Sequence, residues 1–146
     1  MSSDKIQGVP QGFGDVLLIS PFESDHLQLA AILKNSGWRQ HSARNLAVAL
    51  DFLRGRRVPV VICESELPDG TWMDVFSELG RMAHAPLLVV TSRLADERLW
   101  SEALNLGAYN VLAKPLNSKE VFHVVSLAAL LWQRQWEYSQ PLARTA

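Results

Sequence analysis

The chain has 146 residues, 48% hydrophobic and 20% charged, with a formal net charge of −1. That size and balance suit one globular domain and argue against a disordered chain or a nucleic-acid-binding domain, which needs a basic face. No apolar run approaches the roughly 18 residues of a membrane span, and the single cysteine, Cys63, excludes an internal disulfide.

Residues 1–14 are polar and Gly-rich without an apolar segment, so a flexible leader is expected rather than a signal peptide. Residues 15–138 form the expected domain and 139–146 a flexible tail. With one thiol and no targeting signal, a cytoplasmic setting is expected. "DVLLIS" at 15–20 is apolar enough for a strand buried on both faces. Residues 22–36 carry Leu29, Ile32 and Leu33 at helical spacing and stop at Gly37. "WRQHSA" at 38–43 alternates like a weak strand, and Ser42 is a candidate cap for a helix through Leu46, Ala49, Leu50 and Leu53.

"VPVVIC" at 58–63 is the second strong strand, and "LPDG" at 67–70 is turn chemistry. Residues 71–82 place Trp72, Val75, Phe76 and Leu79 on one helical face. "APLLVVT" at 85–91 is the third strong strand. Asp96 starts a helix ending near Gly107, "YNVLA" at 109–113 is a short strand, and a last helix spans about Ser118 to Tyr138. Strict βα alternation predicts an α/β doubly wound fold, a five-stranded parallel sheet with helices on both faces. In such sheets the working crevice lies beyond the carboxyl ends of the strands. That rule selects Ser20, Pro21, Glu64, Thr91 and Lys114.

These positions sit in "VLLIS", "VVICESELPDG", "PLLVVTS" and "EALNLGAYNVLAKPLNSKEV". The last is the most specific, with Gly107-Ala108 seven residues before Lys114-Pro115. Across roughly residues 15–135 the chain resembles the CheY-like receiver domain of two-component response regulators. The resemblance implies the flavodoxin-like strand order 2-1-3-4-5 and phosphoryl transfer from a partner histidine to an aspartate beside Mg²⁺. It assigns the phosphoacceptor position to Glu64, the phosphoryl contacts to Thr91 and Lys114, and the metal-binding acidic pair to Ser20 and Pro21. The switch position falls on Val111, with Tyr109 two residues earlier.

Mg²⁺ favours carboxylate and phosphate oxygens in octahedral geometry, so Ser20 and Pro21 remove the charge that would hold it. Glu23 and Asp25 follow closely on the first helix; one alternative has either reaching into the metal site, but as acids at a helix start they are expected to face solvent. Glu64 is one methylene longer than Asp, and a shift of about 1 Å can cost on the order of 100-fold in rate. A degenerate receiver, or pseudo-receiver, is therefore expected, independent of phosphorylation and with weak or absent Mg²⁺ binding. Three roles stay open for Glu64: a fixed pair with Lys114, an imitation of the phosphorylated state, and residual phosphorylation with unusual metal ligands. A flavodoxin-like enzyme is the remaining alternative, disfavoured because "SPFESD" lacks the glycines of a phosphate loop.

Cys63 reads as buried and inert. His26, His41, His84 and His123 have no ligand spacing. "RGRR" at 54–57 reads as a solvated turn. In the last helix Val121, Val124, Val125, Ala128 and Leu131 supply a core stripe. Phe122, Leu127, Leu130, Trp132 and Trp136 then remain as an apolar surplus, the expected interface for a signalling partner or homodimer. A histidine kinase and a downstream effector are the partner classes implied by the resemblance; neither nucleic acid nor membrane is expected. No output domain is expected after the last helix, so output is expected through a contact of the domain itself, unless the chain is a piece of a longer protein.

Overall fold

The computed structural model describes residues 14–138. Gly14 apart, the expected leader lies outside the described residues, as does the expected tail. The elements run β1 (Asp15–Ile19), α1 (Glu23–Leu33), β2 (Arg39–Ala43), α2 (Leu46–Leu53) and β3 (Val60–Glu64). A small hairpin follows, β4 (Glu66–Leu67) and β5 (Gly70–Thr71). The chain then continues through α3 (Trp72–Leu79), β6 (Leu87–Ser92), α4 (Glu97–Leu106), β7 (Asn110–Ala113) and α5 (Ser118–Tyr138). The main sheet has the order β2-β1-β3-β6-β7, with every neighbouring pair parallel. This is the expected doubly wound α/β architecture.

Successive strand side chains point to opposite faces, so each central strand feeds two cores. Leu17, Ile19, Val61, Cys63 and Val90 pack with α2, α3 and α4. Val16, Leu18, Val60, Ile62 and Val89 pack with α1 and α5. Burying each such aliphatic side chain contributes about 1.5–3 kcal/mol. This explains why the strongest apolar runs became the middle strands.

Several boundaries differ from expectation. The second strong strand starts at Val60 and extends through Glu64, which pairs in register with Thr91. Glu64 is therefore held by the ladder rather than by a loop. Ser42 does not cap α2; it lies in β2, and Asn45 accepts from the Val48 amide instead. The "LPDG" turn closes the β4–β5 hairpin, whose Thr71 forms a capping box with Asp74 on α3.

The α5 stripe also needs correction. Val121, Val124, Val125 and Ala128 are buried, but Leu131 is 38% exposed and Trp132 is 7% exposed. Helix geometry explains the exchange. Eleven residues make about three turns, so Trp132 returns beneath Val121 while Leu131 falls roughly 80° away. Phe122 is half-buried against the same core. Trp136 is half-buried, with the Arg57 guanidinium 4.7 Å from its ring centre and His84 beside it. Of the expected interface residues, only Leu127 and Leu130 are largely exposed. No helix among the described residues is long and apolar enough to cross a membrane.

Candidate functional site

Parallel strands deliver their last residues to one edge. Ser20 follows β1, Glu64 ends β3, Thr91 lies near the end of β6, and Lys114 follows β7. The structure brings these four together as the sequence predicts. Lys114 Nζ donates to Glu64 Oε1 at 2.7 Å and to Asp25 Oδ2 at 2.9 Å. Thr91 Oγ1 donates to the same Glu64 oxygen at 3.3 Å. Ser20 Oγ donates to Asp25 Oδ2 at 2.6 Å and accepts from the Phe22 amide at 3.1 Å. The side chains of Lys114, Asp25 and Glu64 are 6%, 9% and 10% exposed, so this is a desolvated ion cluster.

Asp25 is the main correction. As an acid in the first turn of α1 it was expected to face solvent. The turn from Ser20 to Glu23 instead tips that face of the helix over the end of β1, and Lys114 with Ser20 satisfies the buried carboxylate. His26 reinforces the turn: Nε2 donates to the Ser20 carbonyl at 2.8 Å, and Nδ1 meets the Ser42 hydroxyl at 2.9 Å. A carbonyl can only accept, which places a proton on Nε2. Phe22 was also missed; its ring centre lies 4.9 Å from Lys114 Nζ, within cation–π range. The neighbouring acids supplied the only sequence signal for Asp25, and helix-start statistics pointed it the wrong way.

The other expected positions fare differently. Pro21 adjoins the cluster and offers no side-chain ligand. Val111 is fully buried within β7, and Tyr109 is half-buried in the α1–α5 core. Cys63 is fully buried, and burial, followed by the charge of Glu64, pushes its thiol pKa up. The Lys114-Pro115 peptide bond is cis.

Two carboxylates around one ammonium leave the cluster with a formal charge of −1. Both carboxylates already bind Lys114, and the Ser20 hydroxyl is occupied by Asp25 and Phe22. Among the described residues no group of three His, Cys, Asp or Glu side chains is placed to hold a metal ion.

A family model for the response regulator receiver domain matches residues 23–126, most of the chain. The chain belongs to the response regulator receiver family. The cluster therefore occupies the edge of a receiver domain of two-component signalling. No curated protein matches the receiver. Solved structures share its fold. The signal receiver domain of an HD domain-containing protein from Pseudomonas fluorescens is 23% identical, with a TM-score of 0.76 over 84% of this chain and 91% of that one. The beryllofluoride-activated NtrC4 receiver domain dimer is 22% identical, with a TM-score of 0.75 over 82% and 98%. A two-component response regulator from Clostridium difficile is 20% identical, with a TM-score of 0.71 over 78% and 93%.

Proposed function

We propose that this receiver acts without phosphorylation, as a cytoplasmic protein–protein interaction module whose acidic site is permanently bridged by Lys114. The observation that carries the reading is the Lys114 ammonium bound to both Asp25 and Glu64. Family chemistry needs a metal ion to let an anionic phosphodonor approach a carboxylate. The residues present do not fit Mg²⁺ well. Ser20 and Pro21 stand where the acidic pair belongs, and any ion must share the two carboxylates that remain with the Lys114 ammonium, which repels it.

Glu64 then serves as a fixed charge that holds the β3 and β7 ends in one arrangement. Output runs through a contact with a signalling partner. The exposed Leu127, Leu130 and Leu131 on α5 are the candidate contact residues, and a homodimer through α5 is one form of it. The beryllofluoride-activated NtrC4 receiver domain, a dimer in its solution structure, supports this form by analogy of fold.

The rival reading, a working phospho-receiver with unusual metal ligands, draws on Asp25, which brings a second carboxylate to the site. One experiment separates the two. The full chain is incubated with acetyl phosphate and Mg²⁺, and its intact mass is measured. An unchanged mass is the expected result. A gain of one phosphoryl group that disappears in Glu64→Ala overturns the proposal and establishes the rival.

A further inference from the structure

At the end of the sheet opposite the ion cluster, α2 and α3 both terminate beside the start of β3. The "RGRR" run and the residues after α3 line a groove of about 500 Å³ there, including Arg54, Arg56, Arg57, Arg81 and His84. A second groove of about 560 Å³ shares Arg56 and Arg57. Both volumes fall within the range of about 300–1,000 Å³ typical of small-ligand sites. Glu78 is the one acid lining the first groove.

A solvated turn is the plain expectation for such a run, and arginines near helix C-termini also complement the helix dipoles. Two observations go further. Arg54 pairs with Asp51 at 3.4 Å, whereas Arg56, Arg57 and Arg81 make no ion pair among the described residues. Arg56 and Arg57 are also not free to wander. Their guanidinium carbons lie 4.3 Å from the Phe52 ring centre and 4.7 Å from that of Trp136. A ring beneath the guanidinium restrains its position by cation–π attraction and leaves N–H groups for an anion, and guanidinium suits phosphate. Leu50, Leu53 and Met82 add an apolar part to the same groove.

We infer that this groove binds a small phosphorylated ligand carrying two or more phosphates and an apolar or planar body, of the nucleoside diphosphate class. The phosphates meet Arg56, Arg57 and Arg81, and the body lies over Leu50, Leu53 and Met82. A nucleic acid fits less well. The cationic groups are confined to a concavity, the chain as a whole carries −1, and duplex or strand binding calls for a longer basic face. Such a site would give the domain an input at the end of the sheet remote from Glu64, whatever the outcome of the phosphorylation test.

The full chain is titrated by calorimetry with ADP, inorganic pyrophosphate and a single-stranded oligonucleotide. The variants are Arg56→Glu and Arg81→Glu, with Arg98→Glu, on the exposed face of α4, as the charge-matched control. The expected result is saturable binding of ADP, tighter than of pyrophosphate, weakened about tenfold or more by either groove variant and unchanged by the control. Equal binding of ADP and pyrophosphate, with the same variant pattern, restricts recognition to the phosphates and overturns the assigned apolar contact. No saturable binding, equal weakening by Arg98→Glu, or binding of the oligonucleotide alone overturns the site. Circular dichroism of each variant establishes that a lost signal is not lost folding.

Discussion

Lys114 Nζ and Glu64 Oε1 lie 2.7 Å apart with both side chains almost wholly removed from solvent. A pair in that setting contributes little net stability, because desolvation offsets most of the attraction. Losing one partner is far worse. Lys114→Met leaves Glu64 and Asp25 as two like charges in a buried site. The expected loss is about 3–5 kcal/mol in urea unfolding. Adding Asp25→Asn to Lys114→Met recovers part of that loss, which a double-mutant cycle measures directly. Strict additivity of the two changes counts against the bridged cluster.

Asp69 joins the hairpin to a different helix. Its carboxylate accepts from the Leu46 amide at 2.8 Å and the Ala47 amide at 3.0 Å, so the β4–β5 turn caps α2 from outside. The Leu46 amide, with help from Ala47, holds the Asp69 carboxyl below its ordinary pKa. A lowered folded pKa means the unfolded chain binds the proton first. The stabilisation is complete above the unfolded value of about 3.9 and fades as pH falls through the folded one. Asp69→Ala is therefore less thermostable than the parent near neutral pH. The gap in Tm narrows as the buffer is taken below about pH 3.9; a gap independent of pH refutes the assignment.

Gly107 and Gly55 offer a controlled comparison. Both have positive φ, +117° and +73°. A Cβ at Gly107 would stand 2.7 Å from Phe76 Cζ, whereas one at Gly55 would meet nothing within 4 Å. Gly55→Ala carries only the backbone penalty, about 1–2 kcal/mol. Gly107→Ala carries that plus displacement of Phe76 from the α4 side of the core. Its loss in denaturant unfolding is expected to exceed that of Gly55→Ala, and the reverse order would contradict the packing.

Cys63 is fully buried in β3, and its thiol is held protonated by desolvation. The thiolate is the reactive species, so native protein should resist alkylation. Modification by iodoacetamide is expected to be slower than in denatured chain by about 10³-fold or more, the scale of the folding equilibrium. Rapid labelling under native conditions would place the thiol outside the core.

Sequence alone determined the layers, the strand order through its family resemblance, and the edge where Ser20, Glu64, Thr91 and Lys114 meet. Those features depend on local periodicity, on Gly107 ending α4 in a left-handed conformation, and on parallel strands sharing one carboxyl edge. Tertiary structure alone decided which charges are buried and which apolar groups are spent. Asp25 lies 89 residues from Lys114 in the chain, yet the two make one ion pair, so no local rule could turn it inward. Trp132 rather than Leu131 fills the α5 stripe because a helix accumulates angle over three turns. Asp69 caps a helix that begins 23 residues before it. Burial of a charge or a ring is settled by partners distant in sequence, and those partners exist only once the sheet has brought them together.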